Sequence, residues 1–233
     1  MRYIFVHIPK TAGTSLYQAI VQQFGTHNVL AHYGAPPESQ GWWQGATAQI
    51  RTQLWPQRYV VGHIPVTTYL DAQGEGQYIK RANHRYVTFL RHPLERALSH
   101  YYYWKQIDDP QNPRWRTFHE EQWTVEQFLV HPQFVNFHLR YTRGLTLEQF
   151  DFVGVVDAYA QSMHLLGCLF PEFRQLPILQ SRQNVHKDAN AIAKLSPQVI
   201  DEFTRLHHVD MAMYEYARQR VMRLSDEYAN HRA

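Results

Sequence analysis

Tyr3-Ile4-Phe5-Val6-His7-Ile8-Pro9-Lys10-Thr11-Ala12-Gly13-Thr14-Ser15-Leu16 opens the chain with a strand, a loop and the start of a helix. Tyr3–His7 is short, β-branched and aromatic, the pattern of a buried strand. Leu16, Ala19, Ile20 and Phe24 then recur at helical spacing, and Gly25 closes that helix. Between them lie Lys10, Thr11, Ala12, Gly13, Thr14 and Ser15. The N–H groups of a helix's first turn have no intrahelical acceptor, and the helix dipole favours negative charge there. Gly13 permits close backbone approach, three hydroxyls can donate, and Lys10 adds a mobile charge. The loop therefore reads as a grip for a phosphate or sulfate group. The plainer reading is a helix capped by Ser or Thr beside a surface lysine. A nucleotide-triphosphatase loop places its lysine after the glycines, so this is not a Walker A sequence.

Outward from this stretch, strands and helices alternate. Arg58–Ile64 and Arg85–Leu90 read as the second and third strands, and Phe150–Val156 as the fourth. A fifth is expected at Leu176–Gln180. Helices are expected over Leu94–Ile107, Thr124–Val130 and about Asp157–Phe170, with a loop at Asp108–Arg116 and a helical C-terminus from Ser196-Pro197. That alternation predicts one α/β domain over residues 1–233, with a parallel sheet covered on both faces. Ligands of such sheets bind at the carboxyl ends of the strands.

The strand ending at Leu90 runs into Arg91-His92-Pro93 and a helix, and Ser99 follows eight residues after Arg91. A strand that ends in a guanidinium, where a magnesium-dependent phosphotransferase often has a carboxylate, favours a second anion subsite. The plainer reading pairs Arg91 with Glu95 and leaves Ser99 in solvent. Two anion subsites on two strand ends suit a nucleotide carrying phosphates at two places.

At this point the residues resemble the sulfotransferases that use 3′-phosphoadenosine 5′-phosphosulfate (PAPS). His7-Ile8-Pro9-Lys10-Thr11-Ala12-Gly13-Thr14-Ser15-Leu16 is similar to that family's 5′-phosphosulfate loop, in the form found in carbohydrate sulfotransferases such as heparan sulfate 2-O-sulfotransferase and its bacterial relatives. Phe89-Leu90-Arg91-His92-Pro93-Leu94-Glu95-Arg96-Ala97-Leu98-Ser99 resembles its 3′-phosphate motif, with His92 where relatives often carry aspartate. Asn136 to Gly144, Phe152 to Val156, Asn184-Val185, and Asp210 with Tyr214 follow in the family's order. The resemblance implies a P-loop-like three-layer α/β/α fold with a central parallel sheet and a helical C-terminus. It also implies PAPS as co-substrate without a metal, bound by residues 10–15 together with Arg91 and Ser99.

Val60-Val61-Gly62-His63-Ile64-Pro65 places His63 at the end of the second expected strand, on the same rim as both anion loops. Histidine suits proton removal near neutral pH, and the resemblance implies that His63 is the base. By itself, His63 is one of fifteen histidines and need only end a strand. Lys10 is the group expected to meet charge on the leaving phosphate.

Composition sets the outer bounds. Of 233 residues, 44% are hydrophobic and 18% charged, which excludes a disordered chain, and a net charge of +3 is too small to imply nucleic acid. Cys168 is the only cysteine, so no internal disulfide and no Cys-based zinc site can form; a reducing, cytoplasmic setting is expected. The apolar run Tyr3–Ile8 is too short for a signal peptide or a membrane span, and no later stretch reaches eighteen apolar residues. Residues 26–56 and 104–144 interrupt the strand–helix rhythm and contain all six tryptophans: Trp42, Trp43, Trp55, Trp104, Trp115 and Trp123. Exposed aromatics there would suit a glycan or glycoconjugate acceptor, whereas buried ones would only support the loops. Arg140 and Arg143 are candidates to meet an acidic acceptor. The competing readings are a P-loop-type kinase or NTPase of altered sequence and a nucleotide-binding relative without catalysis.

Overall fold

A computed structural model describes residues 1–32, 57–74, 77–179 and 192–230. Its centre is a five-stranded, fully parallel sheet. In chain order the strands are β1 (Arg2–Val6), β2 (Val29–His32), β3 (Tyr59–Gly62), β6 (His84–Leu90) and β7 (Phe152–Val155), arranged β2-β3-β1-β6-β7. Tyr3 to Val6 are each at most 4% exposed, because helices bury both faces of a central parallel strand. A small antiparallel hairpin, β4 (Asp71–Gly74) and β5 (Gln77–Ile79), forms a separate sheet.

The order of the strands decides where a ligand can bind. From β1 the chain passes through α1 (Gly13–Phe24) to β2 and β3 on one side. It then crosses to β6 and continues to β7 on the other. The loops after β1 and β6 therefore diverge, leaving a crevice at the switch point beside the central strand. Register places Val6 opposite both Gly62 and Thr88, so β1 and β3 end at one level and β6 runs two residues further, to Leu90.

Sequence signals explain the helices. Pro93 occupies the first position of α2 (Pro93–Trp104), where its missing N–H costs nothing. The Asn112 side chain accepts from the Arg114 and Trp115 N–H groups and starts α3 (Pro113–Glu120). The loop expected at Asp108–Arg116 is therefore only half a loop, since Asn-Pro is a cap followed by a first helical residue. Thr124 and Gln127 form a reciprocal capping box on α4 (Val125–Val130). α5 (Phe137–Thr142), α6 (Tyr159–Leu169), α7 (Pro197–Leu206, capped by Ser196) and α8 (His208–Asn230) complete the described helices.

Two expectations about strands are corrected. Val29–His32 is an edge strand that the polar stretch from Thr26 hides. Residues 176–179 of the expected fifth strand are irregular: Pro177 has no N–H to give a ladder, and the Leu179 N–H turns back to the Pro177 carbonyl. Gln180, Asn184 and Val185 lie outside the described residues. Among the described residues no helix is long and apolar enough to cross a membrane.

Candidate active site

A cleft of about 990 Å³ opens at the carboxyl ends of β1, β3 and β6. Lys10, Ala12, Gly13, Thr14 and Ser15 line it from the first loop, His63 from the end of β3, and Arg91 and Ser99 from β6 and α2. Lys10 and Ser99, 89 positions apart in the chain, thus share one surface.

The first loop achieves this by unusual backbone geometry. Lys10 (φ 73°) and Ala12 (φ 62°) are both left-handed, a conformation that non-glycine residues enter at some cost and that recurs at functional sites. Ala12 is the N-cap of α1 and no side chain caps that helix, so the capped-helix reading is set aside. The hydroxyls come after the cap: Thr14 is exposed and Ser15 buried, both on the cleft wall. Thr11 departs from the sequence expectation. It is 2% exposed and absent from the wall; its hydroxyl donates to the Ile8 carbonyl at 2.8 Å, and its N–H donates to the same oxygen. Thr11 therefore braces the loop instead of offering its hydroxyl to a ligand.

Gly13 has a second reason to be glycine. A Cβ there would lie 1.8 Å from Cδ2 of His7, so the bare Cα makes room for that ring. His7 in turn packs on His63, with ring centroids 4.3 Å apart. The backbone brings them together: His7 N–H donates to the Gly62 carbonyl and His63 N–H to the His32 carbonyl, each at 3.0 Å. Burial, reinforced by the nearby Lys10 charge, pushes His63 down to about 4. Burial, then His63 and Lys10, takes His7 well below the ordinary histidine range. Both rings are neutral at pH 7.

Lys10 is itself pushed down to about 8, first by burial and then by the Arg91 charge. Its ammonium lies 3.9 Å from the centroid of the Tyr103 ring, one helical turn beyond Ser99. Arg91 lines the cleft while its Nε donates to Glu95 at 3.3 Å, so the pairing with Glu95 and the place at the site coexist. Ser99 is 2% exposed, and on the cleft wall rather than in solvent.

Sequence reasoning missed His7, Tyr103, Asn112, Arg114 and Tyr141, which also line the cleft, as does His100, an alternative candidate for the base. The spacing of Ser99 and Tyr103 on one helix face was the available signal for Tyr103. Arg140 was a misplaced candidate: it donates to the carbonyls of Pro132 and Gln133, and neither it nor Arg143 lines the cleft. The tryptophans are packing residues where they are described. Trp104 and Trp123 are at most 6% exposed, and Trp115 Nε1 donates to the Trp104 carbonyl; only Trp104 reaches the cleft. Trp42, Trp43 and Trp55 lie outside the described residues. Among the described residues no group of three or more His, Cys, Asp or Glu could hold a metal ion.

A parallel sheet with a strand–loop–helix at the end of its central strand, facing an arginine–serine pair across the switch point, defines an α/β protein with a cleft at its strand ends. The family follows from the sequence: the model of the sulfotransferase family matches residues 2–217, and the chain belongs to that family. No curated protein matches this chain significantly. Among solved structures, a mouse sulfotransferase, SULT7A1, crystallised in complex with PAP, is similar over all of this chain and 89% of that one. Its TM-score is 0.51 and its sequence 13% identical, a likeness of fold alone.

Proposed function

We propose that this sulfotransferase uses PAPS and transfers its sulfuryl group to an acceptor hydroxyl on a carbohydrate. One observation carries the reading: the β1 loop and the Arg91–Ser99 pair open into one cleft, which His63 also lines from the end of β3, the neighbour of β1 on the side away from β6. A kinase of altered sequence would need its lysine after the glycines, and the loop here has it before. The mouse protein's PAP complex supports the choice of nucleotide.

In this mechanism Arg91 and Ser99 hold the 3′-phosphate and fix the nucleotide's register. Gly13, Thr14 and Ser15 present first-turn N–H groups to the 5′-phosphosulfate, beside Ala12, while Thr11 keeps the loop folded. His63 takes the acceptor's proton as the acceptor oxygen attacks sulfur. The sulfur–oxygen bond to the 5′-phosphate breaks, and its electron pair leaves on the phosphate. Lys10 meets that charge. Burial holds His63 in the neutral form that a base needs, and the anions beside it raise its basicity when the nucleotide arrives. No step calls for a metal.

The acceptor side of the cleft combines the half-buried aromatic rings of Tyr103 and Tyr141 with Arg114. A sugar, with apolar ring faces and a hydroxyl edge, suits such a wall. The test is transfer of labelled sulfate from PAPS to a panel of oligosaccharide and phenolic acceptors, with His63→Ala in parallel. Transfer to a sugar that collapses in His63→Ala while PAP still binds is the expected result. Undiminished transfer in His63→Ala would remove the base, and transfer to phenols alone would remove the carbohydrate.

A further inference from the structure

His7 directly follows β1, three residues before Lys10, and the proposed mechanism gives it no task. Its ring nevertheless occupies a singular position. On one side lies the bare Cα of Gly13, where an added Cβ would meet Cδ2, Nε2 and Cγ of His7 at 1.8, 1.9 and 2.1 Å. On the other lies the His63 ring, 4.3 Å away and tilted by 53°. Val6 and Gly62 are register partners on adjacent parallel strands, so the residue after each projects from the same level of the rim. His7 is 8% exposed and therefore has little freedom to turn.

We propose that His7 is a positioning residue, a wedge that transmits the geometry of the phosphosulfate loop at Gly13 to the ring plane of the base His63. The inference rests on the reading of His63 as the base of sulfuryl transfer. Three residues distant in sequence then act as one unit. The loop fixes Gly13, the bare Cα of Gly13 seats the face of the His7 ring, and that ring fixes and dries His63. The charged and titratable groups around His63 are His7 from the end of β1, Lys10 from the loop and His100 from α2. Removal of the His7 ring leaves Lys10 and His100 in place and admits water to His63. Hydration favours the charged imidazolium, so the His63 pKa rises from about 4 toward the ordinary 6.5.

Two variants and a combination test this. His7→Ala should leave PAP affinity within about threefold and lower kcat by about 10- to 100-fold, the scale of a misplaced catalytic group. The acid limb of its kcat–pH profile should move upward. His7→Phe keeps a ring of nearly the same shape without a titratable proton and should restore most of the turnover. Gly13→Ala should lose nucleotide affinity because its methyl group displaces His7. Gly13→Ala with His7→Ala should regain that affinity, since the vacated space accepts the methyl group, and should stay slow. A titration of the His63 ring by NMR, in nucleotide-free protein, reads the coupling even if PAP proves not to be the ligand. Failure of wild-type protein to bind PAP would sink the reading of the nucleotide. An unmoved His63 titration in His7→Ala would sink the wedge, as would His7→Phe as inactive as His63→Ala, which would make His7 itself a proton carrier.

Discussion

The Lys10 ammonium lies 3.9 Å from the centroid of the Tyr103 ring, between the loop that holds one end of the proposed nucleotide and the helix that holds the other. Burial and Arg91 push Lys10 down to about 8. The protonated form that meets the leaving phosphate is complete below that pH and is lost above it. The value of kcat/KM for the nucleotide should therefore fall on the alkaline side with an apparent pKa near about 8. Tyr103→Leu removes a ring that favours the cation and should shift that limb lower. Tyr103→Phe keeps the ring and should leave the limb in place, and Lys10→Arg should abolish it. A pH–rate series on the three variants checks this, and a limb that persists in Lys10→Arg assigns the titration to another group.

Arg91→Ala should weaken PAP binding by roughly 10- to 100-fold, from about 1.5–3 kcal/mol for a charge-assisted hydrogen bond. Glu95 shares that guanidinium at 3.3 Å, so a competing carboxylate is already part of the wild-type value. Calorimetric titration gives the affinity directly. Unchanged affinity in the variant would take Arg91 out of the site.

The buried histidines predict acid sensitivity. Burial holds His63, His84 and His207 at about 4 and His138 at about 3, all below the ordinary 6.5. Between those values the unfolded chain binds more protons than the folded one, so stability rises with pH. Their contribution is complete above about 6.5 and is lost as pH falls through 4. The thermal midpoint should be level near neutrality and decline steadily from about pH 6.5 downward. A midpoint unchanged to pH 4 would refute the prediction.

Asp210 is the acceptor for the His138 and Leu139 N–H groups at 2.8 and 3.0 Å, and its charge favours the fully buried Arg96 guanidinium. Asp210→Ala leaves two donors without an acceptor and a buried cation without its partner. The expected loss is about 3–5 kcal/mol, read as a lower urea midpoint. A loss below about 1 kcal/mol would show that Arg96 is compensated elsewhere.

What the sequence made legible follows the strength of each local signal. The strand from Tyr3 and the helix from Pro93 carried apolar patterning together with a proline at a first helical position, and both formed as expected. Asn112-Pro113 carried an equally clear cap, hidden by the loop-like composition around it. Val29–His32 had no such signal, being a four-residue edge strand in a polar stretch. At the site, motif order placed Lys10, Gly13, Arg91 and Ser99, because charge and helix starts are written locally. The Thr11 hydroxyl went astray because its direction depends on the left-handed turns at Lys10 and Ala12. The tilted packing of His7 against His63 joins residues 56 positions apart on two strand ends, a contact that only register creates.

The proposed ligand is a doubly phosphorylated nucleotide gripped by the β1 loop at one end and by Arg91 and Ser99 at the other. Calorimetric titration with 3′-phosphoadenosine 5′-phosphate and with ATP, both without magnesium, tests it most directly. The expected result is a clear preference for the 3′-phosphorylated nucleotide that falls away in Arg91→Ala. Equal or tighter binding of ATP would contradict it.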